Sequence, residues 1–532
     1  MGTAIASPGV RSSRRRLLVA AALTGVAVLP GCGGGGRTPP RYGWRKGAMG
    51  GGGYCNAIAT DPRGHGRAAA AGDIWGEFAT ESGGALWYPT MIGATSIGEI
   101  YGRAVAYSAQ HPGLRYFGIG VLRDRNARNG YLGAVRPGSL QLERRNAGIT
   151  FSSDLPDGTS REVPRAVGRL IAVDHDPGAG TEYLYALSRQ GLVRSTDGGS
   201  SFSELGLAAP APHAAWSALC VCPDGSLLAA SFRTSYRAGS RVWRIRSPRR
   251  QPLVAAETAA PAVVEDIAVV DGVVYAACGP YGLYRVDSPG AWTALSPGAF
   301  GGCHLSSVTG HSGVLWVGNG IGMTDHRYIA RSHDRGRTFA WTTRPANVSN
   351  EVLGVHRRWW LASAWPGLGK HGYSVSQLAV NPENANACFS AGRAGVVATR
   401  DGGRTWQPAM NGLDGSLIRA VQAGPAPAEA WATDTDWTAI HTTDHWRTCT
   451  RVAAESRVPP MPPPALVRER KGHRYQVLLS NPRKMLVDGA DVADDDFRSA
   501  CITPTDLSVS SDGHIYIGLN GGGVLVGARL AV

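Results

Sequence analysis

The chain has 532 residues, of which 72 are glycine and 33 proline, yet 43% are hydrophobic. That length exceeds the ~250–300 residues at which one compact core stops growing, and the apolar content excludes a disordered chain. The formal charge is +14, a balance that suits nucleic acid or an anionic polymer only where the basic residues gather on one face. Here they are scattered, apart from Arg241, Arg244, Arg246, Arg249 and Arg250, and then Arg468, Arg470 and Lys471 around Glu469. Neither cluster is interleaved with aromatics for base stacking, so both read as solvated surface and no nucleic-acid partner is predicted.

The first element in chain order is an address. Ser13-Arg14-Arg15-Arg16 leads into an apolar stretch from Leu17 to Pro30, shorter than the ~20 residues that span a bilayer. A basic start and a short apolar core make an export signal, and the paired arginines resemble the twin-arginine type. Leu29-Pro30-Gly31-Cys32 then reads as a lipobox in which Cys32 is lipidated and becomes the first mature residue. These features predict an export signal over 1–32, a flexible Gly- and Pro-rich tether over 33–41, and a folded body over 42–532. The expected location is extracytoplasmic, anchored to the outer face of the cytoplasmic membrane or to the cell surface through Cys32.

Beyond the tether, no long amphipathic helix is apparent, and short apolar runs alternate with turn residues. Three segments share one pattern: Ser195 to Phe202 around Asp197, Ser332 to Phe339 around Asp334, and Thr399 to Trp406 around Asp401. A decayed fourth copy runs from Thr442 to Thr448 around Asp444. This is the Asp box, Ser/Thr-x-Asp-x-Gly-x-Thr-Trp/Phe, also called the BNR repeat. In such a hairpin turn the carboxylate accepts from nearby backbone N–H groups, glycine supplies a left-handed backbone, and the aromatic packs beneath. Asp197, Asp334, Asp401 and Asp444 are therefore predicted to be structural. Each clear box follows a short apolar strand, and recurring strand pairs such as Leu170 to Asp174 with Tyr183 to Ala186 lie upstream. Strand, turn, strand, turn, strand, box, strand is one four-stranded blade. The prediction is an all-β β-propeller of about seven or eight four-stranded blades with Asp-box turns, within the ~4–8 usual range.

Eight cysteines remain besides Cys32, namely Cys55, Cys220, Cys222, Cys278, Cys303, Cys388, Cys449 and Cys501. Their disulfide connectivity is not readable, and some suit burial as small hydrophobes. No spacing resembles a structural zinc site, and no phosphate loop, His-Glu-x-x-His or nucleophile elbow is present, so neither metal nor cofactor is predicted.

The order of elements resembles one Asp-box family, the xyloglucan-cleaving glycoside hydrolases of family 74. The resemblance rests on Tyr42-Gly43-Trp44-Arg45-Lys46, the Gly-rich run Met49 to Tyr54, Ala57 to Pro62, Gly72-Asp73-Ile74-Trp75-Gly76, Gly372 to Pro382 and Tyr516 to Val524. It implies an inverting endo-glucanase, in which one carboxylic acid protonates the leaving oxygen while an opposed carboxylate activates water ~6.5–9.5 Å away. The family's base falls on Asp73. Its acid lies in a later motif whose counterpart is Trp431 to His441; counting back from the strand puts Thr435 at the carboxylate position, with Asp434 and Asp436 as alternative acids on either side. Trp75 stands where the family's first motif has glycine, and both glycines of the second motif are replaced. Trp75 and Trp437 are candidate sugar-stacking residues, because aromatic faces suit pyranose rings. The family usually carries two full propellers flanking the cleft, whereas this chain has length for about one large one.

Two functions follow from these readings. One is a surface glycoside hydrolase acting on β-glucan; the other is a non-catalytic propeller binding a polysaccharide or an envelope protein, since one fold hosts many functions.

Overall fold

The structure is a computed structural model. It describes residues 40–46, 55–72, 77–85, 87–90, 102–119, 131–139, 141–146, 170–188, 191–208, 214–233, 240–246, 248–249, 254–260, 263–288, 290–320, 327–342, 375–392, 395–409, 418–434, 439–447, 450–452, 465–479, 483–500, 504–519 and 523–530. The predicted leader and Cys32 lie outside these residues, as do Cys449 and Cys501. No described helix is long and apolar enough to cross a membrane.

The described chain is almost entirely β. Its strands form ten four-stranded antiparallel sheets, and in nine of them the strands are hydrogen-bonded in chain order. Sheets one to seven occupy residues 55–89, 102–146, 171–204, 214–259, 266–295, 305–341 and 375–408; sheets eight and nine occupy 418–452 and 467–491. The tenth combines Pro504–Val509, Ile515–Leu519 and Val524–Arg529 with Tyr42–Lys46, whose Trp44 pairs with Gly527 across the ladder. The single described helix, α1 (Asp495–Ala500), is short; Asp494 Oδ1 caps it by accepting from Phe497 N at 2.8 Å.

Ten sheets exceed the seven or eight blades expected, and the cores between them show why. Six hydrophobic clusters link the first seven sheets in cyclic order: one to two, two to three and four, four to five, five to six, six to seven, and seven back to one. The last of these joins Ile58, Ala70, Phe78 and Trp87 to Ala379, Phe389 and Val396 and so closes the ring. Closure removes the exposed faces that an open stack of sheets would leave. The other three sheets have their own cores, in which the tenth sheet packs against the eighth through Trp446, Tyr516 and Val524 and against the ninth through Met485, Phe497 and Leu507. The length expected to supply one large propeller thus supplies a closed ring of seven sheets and a separate group of three. Inner strands are buried on both faces, which selects small and branched side chains: Ala68, Ala69, Ala70 and Ala71 are all fully buried, while the outer strand Ala291–Leu295 is largely exposed.

One device joins neighbouring sheets in both groups. In seven sheets the register of the first strand slips near its start, between its first and third residues in six and between Trp216 and Ala218 in sheet four, a β-bulge that re-aims the following side chain. The side chain at or beside this place accepts a buried hydrogen bond from the next sheet's backbone. Ser307 Oγ accepts from Leu378 N at 3.0 Å, Asp266 Oδ2, on a first strand without a bulge, accepts from Val308 N at 3.0 Å, and Gln377 Oε1 accepts from Ile58 N at 2.9 Å. The last of these crosses the ring's seam, from its final sheet to its first. The same bond recurs in the group of three, where Asp506 Oδ2 accepts from Val421 N at 2.9 Å, again from the last sheet in chain order to the first.

Candidate functional site

The four box segments adopt one geometry at one corner, the connection between third and fourth strands. In the first, Ser195 Oγ donates to Asp197 Oδ1 at 2.7 Å and accepts from Gly199 N at 2.8 Å. Asp197 in turn accepts from Ser201 N at 2.9 Å and Ser201 Oγ at 2.6 Å. Ser332, Asp334 and Thr338 repeat these bonds, as do Thr399, Asp401 and Thr405. In the decayed copy Thr442 Oγ1 donates to Asp444 Oδ1 at 2.9 Å and accepts from Trp446 N at 3.0 Å. Hydrogen bonds from Thr338 and Ser332 hold Asp334 down at about 2, and those from Thr405 and Thr399 outweigh burial to hold Asp401 at about 2. Both lie below the ordinary carboxylate range. Their support of the fold is therefore complete above that range and is lost as pH falls from there toward about 2. In each complete box the carboxylate accepts three bonds from its own turn, which ties these aspartates to a structural role.

A fifth such turn escaped the sequence reading. Thr80-Glu81-Ser82-Gly83-Gly84 leads to Trp87, with Ser82 in the place of the aspartate. Thr80 Oγ1 accepts from Ser82 N and Gly84 N, each at 3.2 Å, and Trp87 Nε1 donates to Ala409 O at 2.8 Å across the ring seam. The glycine pair and the aromatic five residues after Ser82 were the available signal.

The side chains predicted to act on substrate lie outside the described residues: Asp73 and Trp75 with the segment 73–76, Asp436 and Trp437 with 435–438, and Asp434 as to its side chain. The strands that flank them are described. In sheet one the bulged first strand pairs Cys55 with Gly72, and the second pairs Ala71 with Glu77 on the third. In sheet eight the bulged first strand pairs Ile418 with Asp434, and the second pairs Thr433 with Ala439. Both hairpins thus join the second strand to the third with the same register. By that register Asp434 matches Gly72, Thr435 matches Asp73, Asp436 matches Ile74, and Trp437 matches Trp75. One hairpin belongs to the ring and the other to the group of three.

Glu77, the first residue after the Asp73 segment, was not singled out from sequence. It is fully buried, and desolvation raises its carboxyl well above the ordinary range. It is closely packed, since a Cβ on Gly102 would meet Ala71 Cβ at 2.5 Å and Glu77 Oε1 at 2.9 Å. A charged residue among the otherwise apolar Glu77–Thr80 was the signal in the sequence.

The basic clusters bind acceptors of their own chain. Arg249 forms a two-pronged pair with Asp174 at 2.8 and 3.0 Å and reaches Asp176 at 2.9 Å; Arg244 pairs with Asp224, and Arg241 with Glu257. Arg468 reaches Asp506 at 2.9 Å, Arg470 bonds Val509 O, and Lys471 Nζ donates to Ser511 O at 2.7 Å. The six described cysteines are all buried, among them Cys55, Cys278, Cys303 and Cys388 inside ring cores.

No protein-family model matches the chain, and no curated protein does. Solved structures do. The chain is similar to the GH74 enzyme of Niastella koreensis, with a TM-score of 0.59 and 12% identity over 91% of this chain and 99% of that one. It is similar also to the GH74 xyloglucanase from Xanthomonas campestris, with a TM-score of 0.48 and 15% identity over 92% and 100%. YCF48 from Cyanidioschyzon merolae aligns at a TM-score of 0.42 and 12% identity over 67% and 98%. At such identities the likeness concerns the fold: this is a GH74-like β-propeller protein.

Proposed function

We propose that the protein is an exported lipoprotein, held at the cell envelope by Cys32, that acts on a β-glucan polysaccharide as an inverting glycoside hydrolase. Asp73 is the base that activates water, Asp434 or Asp436 is the acid, and Trp75 and Trp437 stack the sugar rings on either side. One observation carries this reading. In each sheet group a second strand meets its third with the same register, Ala71 with Glu77 and Thr433 with Ala439, and the sequence between those pairs holds Asp-Ile-Trp in one and Asp-Thr-Asp-Trp in the other. The GH74-like fold supports the same reading. Inversion needs two carboxyl groups from opposite sides of the scissile bond, with room between them for a water.

The test is reducing-end release from a panel of β-glucans, with NMR of the first-formed anomer. Cleavage with inversion is expected, and Asp73→Asn is expected to lower the rate by at least ~100-fold, the usual contribution of a general base, with unchanged Tm. Retention of configuration, or full activity in Asp73→Asn, would overturn the assignment.

The register also favours a second reading, because it matches Thr435 and not a carboxylate to Asp73. On that reading the chain binds a polysaccharide or an envelope protein without cleaving it. Saturable binding of a glucan by an uncleaving wild-type protein is the outcome that selects it.

A further inference from the structure

The fourth box turn departs from the others in a way that its role as a hairpin does not require. In two complete boxes the two residues after the aspartate are left-handed glycines, Gly198 and Gly199 or Gly402 and Gly403, and in the third they are Arg335 and Gly336. Here the same two places hold His445 at φ 56° and Trp446 at φ 63°. Side chains in that region cost of order 1–3 kcal/mol per residue. The strained backbone aims the His445 ring at the hairpin between the first two strands of sheet ten, where Asp512 and His514 lie.

We propose that His445, Asp512 and His514 form a binding site for a divalent transition-metal cation of the zinc class, stapling the eighth sheet to the tenth. One donor atom from each residue lies within 4.8 Å of the other two. His445 Nε2 is 3.3 Å from Asp512 Oδ2, and His514 Nδ1 is 3.2 Å from Asp512 Oδ1. A tetrahedral cation with bonds of ~2.0–2.1 Å sets its donors ~3.3–3.4 Å apart, so both histidine-to-carboxylate distances already stand close to the required edge length. Two imidazoles and a carboxylate are also the donor set such cations favour over magnesium or calcium.

The surroundings orient the donors as a metal site requires. His445 Nδ1 bonds the Tyr516 hydroxyl at 2.7 Å, and with Nδ1–H as the donor, the Nε2 lone pair is left for the cation. Ser510 Oγ donates to Asp512 Oδ1 and fixes the carboxylate. The two rings stack at 3.7 Å and 21°, which disfavours two imidazolium charges together. Arg45 donates from its guanidinium to His445 O at 2.5 Å and to Trp446 O at 3.5 Å. Asp512 and His514 keep partly open side chains, 33% and 23% exposed, which leaves the fourth coordination position to water. The inference does not depend on the glucan-cleaving reading, and failure of either leaves the other intact.

The experiment uses the full chain stripped with a chelator and titrated with Zn2+ or Co2+. Calorimetry should give one equivalent bound, Co2+ should develop visible d–d absorption, and Tm should rise with metal. His445→Gly suits the left-handed backbone and should fold, yet it should bind at least ~100-fold more weakly, as should Asp512→Asn. Tyr516→Phe should weaken binding by ~10-fold or more, the effect of losing an outer-shell partner. His441→Gln, which removes a sheet-eight histidine paired instead with Glu429 at 3.0 Å, should bind like wild type. Wild type that binds no metal, or His445→Gly that binds it undiminished, overturns the proposal.

Discussion

The seam of the seven-sheet ring and the seam of the three-sheet group use the same backbone bond but fill the adjoining corner differently. In the ring the second residue after the box aspartate is pressed against the preceding sheet. A Cβ on Gly199 would come within 2.2 Å of Leu132 Cδ2, on Gly403 within 2.5 Å of Thr342 Cγ2, and on Gly84 within 2.7 Å of Phe389. In the group of three the equivalent place holds Trp446, fully buried beside Tyr516 and Val524. A closed ring draws its sheets together until only a backbone fits at that corner. A group of three lacks that constraint, so the gap is wide enough for an indole and its core depends on one.

Truncating the indole is the sharpest way to break this comparison. Trp446→Ala should cost about 3–5 kcal/mol, the range for emptying a large buried aromatic site. Urea unfolding followed by fluorescence should place the loss in a transition of the three-sheet group, with that of the ring unmoved. An equal shift of both transitions would mean that the two groups unfold as one unit.

Adding a methyl at the ring's corner is the converse. Gly403→Ala, at φ 83° and with no room for a Cβ, should cost about 2–4 kcal/mol from backbone strain and overpacking together. The chemical denaturation midpoint of the ring measures it. A neutral outcome would show that the ring's corners yield as readily as the other group's.

The smallest effect sharpens the rule for the first of the two positions. Arg335 at φ 59° stands where Gly198 and Gly402 stand in the other complete boxes. Arg335→Gly should raise stability by about 0.5–1 kcal/mol, because glycine takes the left-handed backbone without steric cost. A lower Tm would mean that the arginine side chain contributes more than its backbone strain removes.

The boxes were legible because each is a local device. Ser195, Asp197, Gly199 and Ser201 lie within seven residues and bond one another, so spacing alone reveals them. The fifth turn was missed because Ser82 replaces the acid that defines the pattern, although Thr80 and the glycines keep its bonds. The exact number of sheets was not legible, because an unboxed sheet such as that over 214–259 carries only short apolar runs as its signal. Glu77 was passed over because an acid in a strand reads as ordinary surface until its burial is known. The correspondence of Thr435 with Asp73 was legible by counting back from the strand, and the pairing of Ile418 with Asp434 and of Cys55 with Gly72 agrees with it.

The sequence by itself determined the all-β class, the box turns and the four-stranded unit, because strand alternation and turn chemistry act over a few residues. Only the tertiary structure decided how the units are grouped, which glycines are pressed against a neighbour, and that His445 meets Asp512 and His514. Those outcomes depend on contacts between distant segments, whose pairing is set by ring closure and core packing. No local periodicity records them.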